Sequence, residues 1–243
     1  MAEHELTVIG HLDEMRKRII VALVAAIGCT VLAFPFASAI LHILKLPARG
    51  AVSRLVYFGP EEAFMVYMRV SIITGLVVSF PVIAYQAWAF TAPALGTDFK
   101  KYSVYFVLSS VLAFASGCLF AYFALLPASL GFLLSIGQGE LEPVISASRY
   151  ISFVTGFILA CGAVFEMPVA TFFLARTGII SARLMRAKFK YALIAILIIA
   201  AVITPTTDIF NMMMLALPML GLYEVSIWVA FFAAKRRRAG YAE

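Results

Sequence analysis

Six apolar runs divide the chain, at approximately residues 19–42, 64–92, 103–134, 150–176, 190–204 and 209–234. A hydrocarbon core about 30 Å thick takes roughly 20 apolar residues of helix to cross. The pattern therefore predicts an all-α membrane protein with six transmembrane helices, forming a single polytopic domain over residues 1–243. Composition agrees, since 63% of the residues are hydrophobic and only 13% are charged, against roughly 25% charged in an ordinary soluble domain. The first run, from Arg18 to about Leu46, is too long for the apolar region of a secretory signal and has acids on its flank, so it is expected to remain as a span.

The basic residues sort by side. With both termini inside, the cytoplasmic side holds 14, namely Arg16, Lys17, Arg18, Lys100, Lys101, Arg176, Arg183, Arg186, Lys188, Lys190, Lys235, Arg236, Arg237 and Arg238. The outer side holds 4, Lys45, Arg49, Arg54 and Arg149, with Arg69 near the outer end of span two. Basic loops stay in the cytoplasm, which predicts an N-in, C-in protein of the cytoplasmic membrane and assigns the net charge of +6 to topology. No basic patch interleaved with aromatics points to nucleic acid. Cys29, Cys118 and Cys161 lie in apolar stretches without a C-x-x-C or histidine partner and read as packing residues rather than metal ligands.

Span three covers about 48 Å as a helix and must tilt, bend near Pro127 or protrude, whereas the 13 residues between Lys190 and Thr204 cover only about 20 Å. Prolines 81, 127, 168 and 218 fall inside spans, where each removes a backbone donor and frees a carbonyl, so a bent, concave bundle is expected. In "GFILACGA", Gly156 and Ala160 have the four-residue spacing of small residues that lets helices approach closely. Pro60, Glu61 and Glu62 make a helix opening, with the acids facing the positive end of the dipole.

Ionisable side chains inside the spans carry the functional signal. Glu166, in "VFEMPV", lies about 15 Å along a helix from Arg176. A carboxylate near the midplane costs a few kcal/mol and marks a pathway, a proton site or a partner contact; the plainer reading is a protonated glutamate bonded inside the bundle. Glu224 is expected at similar depth with the same two readings. No nucleotide-binding loop, zinc-binding H-E-x-x-H or G-x-S-x-G is present. The three histidines, His4, His11 and His42, all lie near the first span, so no later span supplies a base for a serine nucleophile. The chain is not expected to be an enzyme or to carry a metal or cofactor. A six-span secondary transporter of a small solute is the alternative, although no paired repeat with corresponding broken helices relates the two halves.

"HLDEMRKRI", "FPVIAYQAWAFTAPAL", "YISF", "FEMPV" and "TPTTDIFNMMMLALPMLGLYE", in this order and spacing from residue 11 to residue 234, resemble the TatC family, the multispan receptor subunits of the twin-arginine protein translocase. The resemblance implies a concave, glove-like bundle that binds twin-arginine signal peptides of folded proteins at its cytoplasmic face. It also implies single-span partner subunits of the TatA and TatB type, assembly as a homo-oligomer within a larger complex, and transport driven by the proton gradient. Glu14 matches the family's N-terminal recognition carboxylate, with Arg16 beside it. An exposed carboxylate accepts a guanidinium through two parallel bonds that lysine cannot reproduce; its other reading is a helical pair with Arg18 worth about 0.2–0.5 kcal/mol. The first cytoplasmic loop departs from the family pattern. It reads "GTDFKK", with Phe99 where the second recognition glutamate usually stands and Asp98 next to it, so Asp98 is the expected substitute. Pro47, Phe64 and Asp208 match outer-side positions of structural or functional weight, and Glu166 matches the intramembrane glutamate that contacts partner subunits or carries a proton.

Overall fold

In a computed structural model the chain is described over residues 8–48, 55–92, 103–136, 144–204 and 208–239. Five stretches are long and apolar enough to cross a membrane, at Gly10–Ala48, Pro60–Thr91, Ser103–Ser135, Ala147–Thr177 and Ile209–Ala233, and Phe189–Ile203 adds a shorter apolar helix. These are the six expected spans.

Helix α1 (Val8–Ala33) starts well before the apolar run, carrying the charged "HLDEMRKRI" segment as regular helix. At Pro35 it gives way to a 3-10 turn (Phe34–Phe36), then continues as α2 (Ala37–Leu44) and a second 3-10 turn (Leu46–Ala48). After a short strand β1 (Leu55–Val56), α3 (Pro60–Thr91) returns beside α1. Helix α4 (Ser103–Phe120) passes through a π-helical turn (Ala121–Leu125) into α5 (Leu126–Ser135). Strand β2 (Ile145–Ser146) pairs in parallel with β1 and leads into α6 (Ala147–Phe165). Helices α7 (Met167–Thr177), α8 (Ala182–Ala187), α9 (Phe189–Ile203) and α10 (Ile209–Ala239) complete the fold.

Prolines shape this bundle unequally. The Pro127 ring would meet the carbonyl of Phe123, four residues back, and the chain widens there by one residue, the Leu126 amide donating to Ala121 five residues earlier. Such π turns take up a helix irregularity locally. Pro168 instead ends α6 and restarts the helix as α7, with Glu166 at the break. Pro81 and Pro218 lie inside continuous helices, and Pro35, which the sequence pattern did not single out, is the one that splits the first span.

The core joins Val70 of α3, Leu126 of α5, Ile151, Val154 and Phe157 of α6, and Leu215 of α10, all nearly or fully inaccessible. Small residues set two helix contacts. A Cβ at Gly75 would lie 2.5 Å from the Thr30 backbone nitrogen of α1, and one at Gly117 would lie 2.5 Å from the Cys161 carbonyl oxygen of α6. Gly156 has open space around it, so the small-residue spacing at Gly156 and Ala160 marks no close approach on its glycine side; Gly117 and Gly162 form the α4–α6 contact. Several hydroxyls within the spans bond to their own helix, as Ser71 does to the Tyr67 carbonyl (2.8 Å), Thr204 to Ala200 (2.8 Å) and Ser226 to Leu222 (2.7 Å), where hydrocarbon supplies no partner.

Helix α9, 15 residues long, covers about 22 Å, short of the core as expected. At its start the Lys188 and Lys190 ammonium groups lie 5.3 and 5.1 Å from the Tyr191 ring centre.

Asp208 caps α10. Its Oδ1 accepts the Asn211 amide (2.7 Å) and its Oδ2 accepts from the Asn211 side chain (2.8 Å), with Asn211 fully buried. Asp208→Ala is expected to lower the unfolding free energy of the solubilised protein by about 1–2 kcal/mol for the lost cap, and further for the buried amide left without its acceptor. Asp208→Asn, which keeps an acceptor, should retain most of the stability in the same unfolding measurement.

Candidate functional site

At the end of the bundle bearing Arg18, Arg176 and Lys188, Trp88 of α3, Phe106 of α4 and Phe173 of α7 form one aromatic cluster, with centroids 4.5 to 4.8 Å apart. Close by, His11 of α1 stacks on Phe90 of α3 at 4.6 Å. The cluster joins the last turns of α3 to α4 and α7, and the His11–Phe90 stack holds the first turns of α1 against the last turns of α3.

On that framework the Arg18 guanidinium donates through Nε to Glu14 Oε1 (3.0 Å), and Nη2 reaches the same oxygen. Nη1 donates to Gln86 Oε1 of α3 at 3.4 Å. Glu14 Oε2 has no hydrogen-bond partner among the described residues. The side chains of Glu14 and Arg18 keep about a quarter of their accessibility, 27% and 25%, so water screens the pair and a competing guanidinium can reach it. The helical pair expected from the i,i+4 spacing is present, and Gln86 extends it across to the next helix. Gln86 was not singled out from the sequence, although it is the one amide side chain in the 32 residues of α3. Arg16 is exposed and joins neither Glu14 nor Gln86, since two residues on, a helix has turned about 200°. Asp98 lies outside the described residues.

A second polar locus lies deep in the bundle. At the break between α6 and α7, Glu166 Oε2 accepts a hydrogen bond from Ser110 Oγ of α4 at 2.6 Å. Oε1 is buried without a hydrogen-bond partner among the described residues. One turn along, the Phe114 ring stacks on Phe80 at 3.8 Å. A carboxylate half-satisfied beside aromatic rings is expensive in hydrocarbon unless a donor or proton meets its second oxygen. Ser110 gave no sequence signal, because hydroxyls are common in apolar helices.

Glu224 differs from Glu166 in having a charged side chain beside it. Its Oε2 lies 3.7 Å from Arg186 Nη2 of α8, both side chains being about half exposed, and the neighbouring Tyr223 hydroxyl donates to the Met185 carbonyl (2.9 Å). The arrangement ties α10 to α8.

The matched positions at the opposite end are separate. Pro47 lies in the 3-10 turn against α5, near where the Tyr122 and Tyr150 hydroxyls hold the Ile43 and Leu44 carbonyls (2.8 and 2.9 Å). Phe64 is 57% exposed on α3, and Asp208 caps α10. Glu62 does more than face its own helix dipole. It accepts the Phe58 amide (2.7 Å), the Ser148 amide at the start of α6 (3.0 Å) and the Ser146 hydroxyl, bridging α3 to α6 beside the β1–β2 pair.

The fold defines a polytopic helical membrane protein. The sequence profile described as Sec-independent protein translocase protein (TatC) matches residues 10–218. The chain is 34% identical over 240 residues to a Sec-independent protein translocase protein TatC of Carboxydothermus hydrogenoformans, covering 99% of each chain. It is 35% identical to a protein of the same description from Aquifex aeolicus, covering 94% of this chain and 96% of that one. A crystal structure described as the twin arginine translocase receptor TatC superposes with a TM-score of 0.84 at 35% identity, over 92% of this chain and 99% of that chain. The chain belongs to the TatC family. It is a receptor component of the twin-arginine translocase, working in a complex with other subunits, and not an enzyme; nothing in these matches supports the solute transporter.

Proposed function

We propose that this protein binds the paired arginines of export signal peptides on folded cargo through Glu14, at the cytoplasmic face of the cytoplasmic membrane, with both termini inside. The observation that carries this reading is the Glu14–Arg18 pair, one carboxylate oxygen engaged, the other without a partner, and Gln86 beside it. A partly exposed helical ion pair of this i,i+4 kind is worth about 0.2–0.5 kcal/mol, so an incoming guanidinium displaces Arg18 at little cost and gains two charge-assisted bonds. Asp98 supplies the second carboxylate from the first cytoplasmic loop. The defining experiment is binding of a twin-arginine signal peptide to the solubilised protein beside a twin-lysine control. Equal binding of both would overturn the reading.

Glu166 meets a polar residue of a single-span TatA- or TatB-type subunit inside the bilayer, and such subunits assemble around one or more copies of the chain to pass cargo under the proton gradient. The buried, half-satisfied carboxylate supports this role. Glu166→Ala is expected to reduce copurification of the single-span subunit several-fold while leaving the fold intact. Unchanged copurification would confine Glu166 to its bond with Ser110.

A further inference from the structure

At the end of the bundle opposite Arg18, a cavity of about 890 Å³ opens between the first turn of α3 and the first turn of α6. Its walls include Phe58, Met65, Val144 and Ile145. Phe58, Met65 and Val144 are 76%, 59% and 67% exposed, an apolar lining left open by the chain itself. Two opposite charges face this space. Glu61 and Arg149 both line it, both are exposed, and among the described residues neither side chain makes an ion pair or hydrogen bond, with each other or with any other group. The third charged group, Glu62, is already committed to Phe58, Ser146 and Ser148.

The depth of the cavity follows from the helices that frame it. Glu61 is in the first turn of one membrane-crossing helix and Arg149 in the first turn of another, so the cavity lies at the level of lipid headgroups rather than in water or hydrocarbon. A ligand there has an apolar body, one negative group for the guanidinium and one positive group for the carboxylate. A guanidinium takes a phosphodiester through paired N–H bonds. A carboxylate takes a primary ammonium, which has three donors, far better than a quaternary ammonium, which has none. The volume lies within the usual range for small-molecule sites, about 300–1,000 Å³.

We propose that this cavity binds a phosphoethanolamine headgroup of a membrane lipid, its phosphate on Arg149, its ammonium on Glu61, and its glycerol and upper acyl carbons on Phe58, Met65 and Val144. The site is separate from the signal-peptide reading and stands or falls without it.

The test is native mass spectrometry of the full-length protein released from nanodiscs containing equimolar phosphatidylethanolamine, phosphatidylglycerol and phosphatidylcholine. Wild-type protein should retain phosphatidylethanolamine over each of the other two by about tenfold, the usual weight of one charge-assisted bond. Glu61→Gln should bring the ethanolamine to glycerol ratio towards parity while phosphatidylglycerol stays bound. Arg149→Gln should reduce retention of all three lipids. Ratios are read within one sample, so a variant that partly unfolds loses every lipid alike and cannot mimic the Glu61→Gln result. Equal retention of the three lipids by wild type, or an ethanolamine preference unchanged in both variants, would overturn the proposal.

Discussion

Glu14→Gln should abolish the preference of the solubilised protein for a twin-arginine over a twin-lysine signal peptide, weakening the arginine peptide by about ten- to a hundredfold. The range is that of one charge-assisted hydrogen-bond interaction, about 1.5–3 kcal/mol. A glutamine keeps the shape and one acceptor oxygen but not the charge that makes a two-bond guanidinium contact strong. Twin-lysine binding, which never gained that geometry, should change little. Arg18→Gln is the informative companion. If Arg18 holds the position that a signal arginine takes, its removal frees Glu14 and tightens the arginine peptide by about twofold, the value of the helical pair it breaks. Should Arg18→Gln weaken the peptide as much as Glu14→Gln, the pair would be part of the binding surface rather than its occupant. Salt distinguishes the exposed pair as well: with both side chains about a quarter accessible, arginine-peptide affinity should fall as ionic strength rises.

Spans were legible because each is a property of one segment: a run of apolar residues crosses whatever surrounds it. The short α9 and the long α4–α5 passage were legible for the same reason, and so was Glu166, since an isolated carboxylate in an apolar run is conspicuous. What a second segment decides was not legible. Ser110, the partner of Glu166, lies 56 residues away in sequence, and Gln86 lies 68 from Arg18. Prolines were only partly readable. Pro127 and Pro168 disrupt their helices as expected, whereas Pro81 and Pro218 sit in continuous helix. The small-residue spacing misled for a related reason: Gly156 looks into open space, and the glycines that matter, Gly75, Gly117 and Gly162, are identified by the helix opposite. The partner of Glu224, Arg186, likewise belongs to another segment, α8.

Gly75→Ala should both destabilise the protein and weaken twin-arginine peptide binding, although Gly75 lies far from Glu14. The added methyl would lie 2.5 Å from the Thr30 backbone nitrogen and 2.6 Å from its Cα, atoms that cannot rotate away as a side-chain tip can. The Thr30 hydroxyl is itself bonded to the Ala26 carbonyl at 2.8 Å, so the local helix resists distortion and α1 must move away from α3 as a body. Overpacking of this kind costs about 1–3 kcal/mol, read as a lowered unfolding midpoint. The same movement reaches the recognition end. Glu14 lies on the same helix about 24 Å from Thr30, and moving α1 away from α3 takes its carboxylate out of register with Gln86, which sits beside the Glu14–Arg18 pair, so a two-bond guanidinium contact flanked by α3 is misplaced. Gly75→Ala thus couples loss of stability to loss of arginine selectivity, whereas Glu14→Gln loses selectivity alone. Gly28→Ala, on α1 two residues from Thr30 with nothing within 4 Å of its added carbon, should leave selectivity unchanged and should not lower stability, an alanine in a helix interior being favoured over glycine by up to about 1 kcal/mol. Stability and selectivity both intact in Gly75→Ala would mean that α1 and α3 are not held by this contact, and that the position of Glu14 beside Gln86 does not depend on their spacing.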